Sequence, residues 1–310
     1  MVEYGETPEL GRKEGEARIG RRHAVALTGL DPGSTYHYRV EGVGGSSATG
    51  CFRTAPASDN SRFSFAVVGD SGSGGKGQLA VAALLERLRP DLVLHTGDVV
   101  YPAGQERHYD RRFFAPYRNL IKTVPLFPVL GNHEVRKGNG AAFLENFHPP
   151  LGSPGSTKRY YSFNWGNTHF VALDSELYHG DRGSNLEEQR DFLKRDLATT
   201  RKRWRIVFLH RSPYGSSRHG GDEKARENLE PLFVKHGGGP CLLWPRPCLR
   251  AHRAHKGCDL RGERGRRQEA VSSGQWRVDS LLRVSPPRGA RARQRQTPVA
   301  GGSRSGRQGC

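Results

Sequence analysis

The sequence predicts an α/β fold preceded by a small β module, and three features of the pattern indicate this. From residue 61 to 237, short apolar strands alternate with amphipathic helices, which is typical of an α/β domain. Residues 1–55 instead carry strands of period two separated by turn signals, and residues 238–310 show neither period. We therefore divide the chain into a β module at 1–55, a linker, an α/β domain at 61–237 and a basic tail at 238–310.

The β module contains one clear strand, at 35–41. Tyr36, Tyr38 and Val40 alternate there with polar residues, so they share one face of the strand. The segment Asp31-Pro32-Gly33-Ser34 just before it is a turn signal. We also expect short strands at 23–27 and 51–54.

In the α/β domain, polar side chains follow several of the apolar strands. The predicted strands are 63–68, 92–95, 127–130, 170–173 and 206–209, and the predicted helices are 78–89, 186–197 and 223–235. Ligands of α/β sheets collect at the carboxyl ends of the strands. The side chains that we expect to meet there are Asp70, Asp98, Asn132 and His210. Because carboxylate, amide and imidazole together suit a hard or borderline cation, the pattern predicts a metal site.

The charge of the chain lies mainly in the tail. The 310 residues include 49 Lys or Arg and 31 Asp or Glu, a net charge of +18, and after Gly237 sixteen basic residues stand against four acidic ones. The charge therefore does not imply a specific nucleic-acid partner for the body of the protein. No run reaches the about 18 apolar residues of a membrane span, and no signal peptide is visible at Met1.

Four motifs carry a resemblance to a known family. They are Gly69-Asp70-Ser71-Gly72, Gly97-Asp98-Val99-Val100-Tyr101, Gly131-Asn132-His133-Glu134 and Val207-Phe208-Leu209-His210. These resemble the first four of the five motif blocks of the calcineurin-like metallophosphoesterases, and Tyr101, three residues after Asp98, resembles the purple acid phosphatase group. The resemblance implies a sandwich of mixed sheets flanked by helices. Residues 27–36 resemble late strands of the fibronectin type III-like domain that precedes many such phosphatases, which implies that the first strands of that domain are missing before Met1.

The resemblance also implies a centre of two metal ions. By this resemblance Asp70 and Tyr101 bind the first metal, Asn132 and His210 bind the second, and Asp98 bridges the two. A tyrosine phenolate favours Fe(III), so the implied pair is Fe(III) with a divalent Fe, Zn or Mn ion.

Two histidines resemble the catalytic histidines of the family. His133 directly follows a ligand, where it would hold a phosphate oxygen or protonate the leaving group, and His219 resembles the second such residue. The implied activity is the hydrolysis of phosphate monoesters, with a phosphate ester as partner and a secreted or periplasmic location; the oligomeric state stays open. Two alternatives stay open: a phosphodiesterase or nucleotidase of the same fold, because the loops 136–155 and 212–221 would set the substrate, and a non-catalytic protein whose tail binds polyanions.

The fifth block of the family, Gly-His-x-His, is missing from this chain. It would supply one histidine to each metal, but after Gly237 the sequence is rich in Pro, Arg and Cys. One permitted codon string for residues 238–251, read one base later, encodes V-D-L-V-F-S-G-H-D-H-V-Y-E-R. We therefore expect that the tail is out of frame, or else a disordered basic segment, and that the phosphatase activity of the chain as written is impaired.

Overall fold

The computed structural model describes residues 1–15, 22–42, 47–57, 62–179, 183–214, 220–235, 241–243 and 281–284. The strands are β1 Val2–Gly5, β2 Arg12–Glu14, β3 Thr35–Glu41, β4 Ser47–Arg53, β5 Phe63–Val68, β6 Leu92–His95, β7 Leu126–Pro128, β8 Tyr161–Trp165, β9 Thr168–Ala172, β10 Trp204–Phe208, β11 Cys241–Leu243 and β12 Leu281–Val284. The helices are α1 Lys76–Leu88, α2 Ala115–Tyr117, α3 Asn132–Val135, α4 Ala141–Asn146, α5 Gly183–Thr199 and α6 Glu223–Lys235.

Within the first 55 residues, four strands form an antiparallel sheet in the order β2-β1-β3-β4. Tyr36 is fully buried, and its ring stacks on Phe52 with 5.9 Å between the ring centroids. The strand expected at 23–27 is wrong, because these residues pair with no strand and are largely exposed. The sequence pattern does not predict β1 and β2 because they span only four and three residues.

The α/β domain contains two four-stranded sheets, each of mixed direction. One sheet has the order β12-β5-β6-β7, in which β5, β6 and β7 are parallel and β12 is antiparallel to β5. The other has the order β11-β10-β9-β8, in which β9, β10 and β11 are parallel and β8 is antiparallel to β9. This architecture confirms the predicted fold class of mixed sheets flanked by helices.

The core lies in three layers, and the period-two pattern of the strands explains why. Phe65, Phe170 and Phe208 are fully buried where the two sheets face each other. Their neighbours in sequence point the other way, so Ala66 packs toward α1 and Val207 packs toward α5 and α6. Strands that bury both faces must be apolar throughout. The helices therefore cover the outer faces and leave the ends of the strands free for polar residues.

Two short segments of the tail pair with the edges of these sheets. Cys241–Leu243 runs parallel to β10, with Leu243 opposite Phe208, and Leu281–Val284 runs antiparallel to β5. The sequence pattern does not predict either strand. Within the part of the chain that the structure describes, no helix has the length and apolar character needed to cross a bilayer.

Candidate metal centre

The predicted ligands meet at one rim of the sandwich. Asp70 follows β5, Asp98 follows β6, Asn132 begins the helix after β7, and His210 follows β10. One ligand atom from each of Asp70, Asp98 and His210 lies within 4.8 Å of the others. The parallel strands explain this meeting, since their carboxyl ends share one edge of the fold.

Asp98 lies at the middle of this cluster. Its side chain is buried, its Oδ1 atom is 3.5 Å from His210 Nε2, and its Oδ2 atom is 3.8 Å from His133 Nε2. The backbone N–H of His133 donates to Oδ1 over 2.9 Å, which fixes the direction of the carboxylate. Each of its two oxygens therefore faces a different imidazole.

Tyr101 and Asp70 form the second part of the cluster. The Tyr101 hydroxyl donates to Asp70 Oδ1 over 3.1 Å. Burial, followed by the charges of Asp70 and Asp98, raises the pKa of Tyr101 above its usual range in the metal-free protein. A cation bound between these groups would instead lower the pKa of Tyr101, because it would stabilise the phenolate. Both aspartates have left-handed backbone, with φ of 51° at Asp70 and 53° at Asp98, a strained geometry that clusters at functional sites.

His210 joins the two sheets at the rim. Its Nδ1 atom donates to the backbone carbonyl of Thr96 over 2.9 Å, and its Nε2 atom is 3.0 Å from Asn132 Oδ1. A backbone acceptor on one ring nitrogen turns the other nitrogen toward the cation site. Burial lowers the pKa of His210, but the nearby carboxylates, led by Asp98, together outweigh it and raise the pKa overall.

His133 lies beside the cluster with a fixed tautomer. Its Nδ1 atom is 2.5 Å from the carbonyl oxygen of Pro102, and that oxygen can only accept, so Nδ1 carries the proton. Its ring meets the Tyr101 ring edge to face, with 4.3 Å between the centroids. Nε2 therefore faces the candidate centre, 3.8 Å from Asp98 Oδ2. His219, the other predicted catalytic histidine, lies outside the described residues.

Glu134 lies within one of the motifs, but its sequence position alone predicts no role in the site. Its carboxylate is buried and accepts three backbone hydrogen bonds, from Asp98, Val100 and Gly131. Burial, followed by the charge of Asp98, raises the pKa of Glu134 to about 8. The available signal is its position three residues after Gly131 at the start of α3, which is the glutamate position of a capping box.

A second group of buried polar side chains, which the sequence does not predict as part of the site, lies next to Asp70 in the fold. The Ser71 hydroxyl is 2.8 Å from His95 Nε2 and accepts a hydrogen bond of 2.8 Å from the Tyr117 hydroxyl. His95 is fully buried, and burial followed by the charge of His210 lowers its pKa to about 3. His95 is therefore neutral near neutral pH and acts as a hydrogen-bond partner that holds the loop carrying Asp70.

The chemistry of this donor set fits metal ions. Two carboxylates, a phenol, an amide and an imidazole converge at this rim. A bound cation would stabilise carboxylates packed this closely, since like charges oppose their ionisation. The five residues that the sequence predicts as ligands are thus brought together.

Comparison with known proteins places this site in a family. A calcineurin-like phosphoesterase model matches residues 63–244. The chain is 30% identical over 254 residues to purple acid phosphatase 15 of Arabidopsis thaliana, covering 69% of this chain and 46% of that protein. It is 28% identical over 255 residues to purple acid phosphatase 23 of the same plant, covering 69% and 54%. A purple acid phosphatase from yellow lupin (Lupinus luteus) seeds has a similar fold, with a TM-score of 0.62 at 21% identity over 76% of this chain and 51% of that one.

The match over more than half of the chain shows that this protein belongs to the calcineurin-like phosphoesterase family. The family predicted from the four motifs is thereby confirmed, and its relatives include purple acid phosphatases. The chain spans about half the length of these curated relatives.

Proposed function

We propose that this chain has the active site of a phosphomonoesterase of the purple acid phosphatase type, which uses two metal ions. The observation that carries the proposal is the convergence of Asp70, Asp98 and His210, with ligand atoms within 4.8 Å of one another. The hydroxyl of Tyr101, 3.1 Å from Asp70, supports a phenolate ligand for one ion. Asn132, close to His210, supports a second ion on the other side of Asp98.

The assignment of residues is the one that the resemblance to purple acid phosphatases implies, and these distances support it. Asp70 and Tyr101 would hold an Fe(III) ion, Asn132 and His210 would hold a divalent Fe, Zn or Mn ion, and Asp98 would serve both. Bound metal ions would supply Lewis acidity and an activated water. The protein's own part is to hold the phosphate in place and to move a proton at His133 Nε2, the ring atom that faces the centre. In its doubly protonated form His133 would give the Nε2 proton to the leaving oxygen, which releases the alcohol as water adds to phosphorus, and a proton from the attacking water would restore that form.

The β module and the tail need separate proposals. We propose that residues 1–55 form a fibronectin type III-like module, because the Tyr36 hydroxyl accepts from the Asp31 N–H over 2.9 Å, as in the tyrosine corner of immunoglobulin-like sandwiches. We also propose that residues 238–310 are read out of frame, since no Gly-His-x-His block follows α6.

The test compares two substrates on one protein. We expect a chain with the restored frame to hydrolyse p-nitrophenyl phosphate faster than bis(p-nitrophenyl) phosphate, and to lose both activities when a chelator removes the metals. A faster rate on the diester would favour the phosphodiesterase alternative. Activity that survives complete metal removal would contradict the proposed centre, and salt-sensitive RNA binding that is lost without residues 238–310 would favour the polyanion-binding alternative.

A further inference from the structure

The carboxylate of Glu134 ties together the two loops that carry candidate ligands. Its Oε2 atom accepts from the N–H groups of Asp98 and Gly131, each over 2.9 Å, and its Oε1 atom accepts from Val100 over 3.0 Å. Two of these donors follow β6 and the third follows β7. One side chain therefore fixes the distance between the loop of Asp98 and the loop of Asn132.

The burial of Glu134 needs an explanation. Its side chain is 1% exposed, and among the described residues no Lys, Arg or His forms an ion pair with it. A buried carboxylate is costly unless hydrogen bonds or opposite charges compensate it. A glutamate that only capped the four-residue helix α3 could do so at the surface. The three donors from two loops account for its place in the interior.

The two loops are packed so closely that a small displacement of Glu134 would also displace the candidate ligands. A Cβ atom on Gly131 would lie 2.3 Å from the backbone nitrogen and from Oδ1 of Asp98, so only glycine fits there. The N–H of His133, two residues further on, donates to the same Oδ1 atom. The position of α3 thus sets the direction of the Asp98 carboxylate, and Glu134 sets the position of α3.

We propose that Glu134 is a positioning residue, which holds Asp98 and Asn132 in place for a cation before the cation binds. The proposal rests on the metal-dependent function proposed above. A site whose ligands are already fixed binds more tightly, because binding does not have to order the loops. Glu134 itself touches neither the cation site nor the substrate in this role.

The test is the substitution Glu134→Gln in the full chain, with Mn²⁺ as the probe. Glutamine has the same shape but only one acceptor oxygen, so in either orientation its NH₂ group faces at least one of the three N–H donors. We expect the affinity for Mn²⁺, measured from the electron paramagnetic resonance signal of the free ion, to fall by about 10–100-fold. Mn²⁺ is preferred to Zn²⁺ because the cysteines of the tail would bind zinc.

A matched control separates positioning from general stability. Asp196 is also a buried acid, but it bonds to Ser162 and His169, away from the ligand loops. Asp196→Asn should lower the melting temperature of the metal-free protein and leave the Mn²⁺ affinity unchanged. An equal loss of affinity in both variants would overturn the proposal, because the effect would then be one of stability.

The Mn²⁺ affinities of the parent chain and of the Glu134 variants also separate the positioning role from the proposed function. If the original chain binds Mn²⁺ and a folded Glu134→Gln protein binds it equally well, the positioning role is wrong while the proposed function stands. If the original chain binds too little Mn²⁺ to measure, the same variants are compared in the frame-restored chain. If the frame-restored chain binds no Mn²⁺ either, the proposed function fails and the role of Glu134 fails with it. If the glutamine variant does not fold, Glu134→Asp is tested instead, since it keeps the carboxyl group but is too short to reach both loops. Wild-type affinity in that variant would overturn the proposal. If neither variant folds, Glu134 is needed for folding as a whole, and this outcome also overturns the proposal.

Discussion

The Nδ1 atom of His210 lies 2.9 Å from the carbonyl oxygen of Thr96, and this hydrogen bond joins the two sheets of the sandwich at the candidate metal centre. Thr96 directly follows β6 of one sheet, whereas His210 follows β10 of the other. The bond leaves Nε2 of the imidazole facing Asp98 and Asn132. The geometry of the site therefore depends on how closely the two sheets approach each other at this point.

Gly97→Ala should damage the site through that contact. A Cβ atom on Gly97 would lie 2.8 Å from Nδ1 of His210, and the residue has a φ of 94°. We expect Mn²⁺ affinity to fall by at least about 10-fold, because the imidazole is a proposed ligand and must move. The matched control is Gly29→Ala, which has a φ of 65° but open space around it, so it carries only the backbone cost of about 1–2 kcal/mol. Equal metal affinity in the two variants would contradict the prediction.

Asp98→Asn should reduce metal content more than the loss of any other single ligand. The change removes the only charge that both proposed ions would share, and it leaves a neutral oxygen close to His210. In the frame-restored chain, we expect metal per chain, measured by elemental analysis after dialysis, to fall for both ions together. Asn132→Ala is the comparison, since it should weaken only the ion on the His210 side. Unchanged metal content in Asp98→Asn would show that the shared-ligand assignment is wrong.

Much of this site can be predicted from the sequence, because strand ends are marked by local pattern. The strands β5 and β6 lie where the apolar runs place them, and the residues that follow them, Asp70 and Asp98, meet as expected. Glu134 cannot be assigned in this way, since its three partners are backbone groups brought near by the meeting of two loops. His95 is missed for a similar reason: it reads as the last residue of a strand, and only the fold shows that it is fully buried.

Tyr101→Phe should remove colour while leaving some metal. A phenolate bound to Fe(III) would give a visible charge-transfer band, and the Tyr101 hydroxyl lies 3.1 Å from Asp70, close enough to share an ion with it. We expect an iron-loaded, frame-restored protein to lose its band on this change, while elemental analysis still finds iron. Tyr117→Phe is the control, because that hydroxyl bonds to Ser71 instead. A band that survives Tyr101→Phe would rule out this tyrosine as the iron ligand.

His95 should make the metal-free protein less stable in acid. Its pKa is lowered to about 3 by burial, from an ordinary value of 6.5, so unfolding at intermediate pH takes up a proton. The stability that this neutral histidine gives is fully present above pH 6.5 and is lost as the pH falls toward 3. Each such proton changes the free energy of unfolding by about 1.4 kcal/mol per pH unit. The free energy of unfolding, measured with urea between pH 6.5 and 4.5, should therefore fall more steeply in the original chain than in His95→Asn. Parallel curves of this free energy against pH would contradict the prediction.

Restoring the reading frame near the codon of Gly237 should restore metal binding and activity together. As written, the chain keeps Asp70, Asp98, Tyr101, Asn132 and His210 but lacks the two histidines of the fifth block, so each proposed ion has lost a ligand. The strand Cys241–Leu243 runs parallel to β10 with Leu243 opposite Phe208. In the shifted frame the Gly-His-x-His block falls on the codons of residues 244–247, and the same register would bring it beside His210.

Loss of an outer partner alone changes metal affinity by about 10–100-fold, and loss of a direct ligand should cost at least that much. We therefore expect the 310-residue chain to bind at most one metal weakly and to have little phosphatase activity, whereas the frame-restored chain should bind two metals and hydrolyse p-nitrophenyl phosphate. The control is the frame-restored chain with both histidines of the block replaced by Ala, which should again be inactive although its sheet is complete. Robust activity with two metals per chain in the unrestored protein would refute the prediction, because five ligands would then suffice.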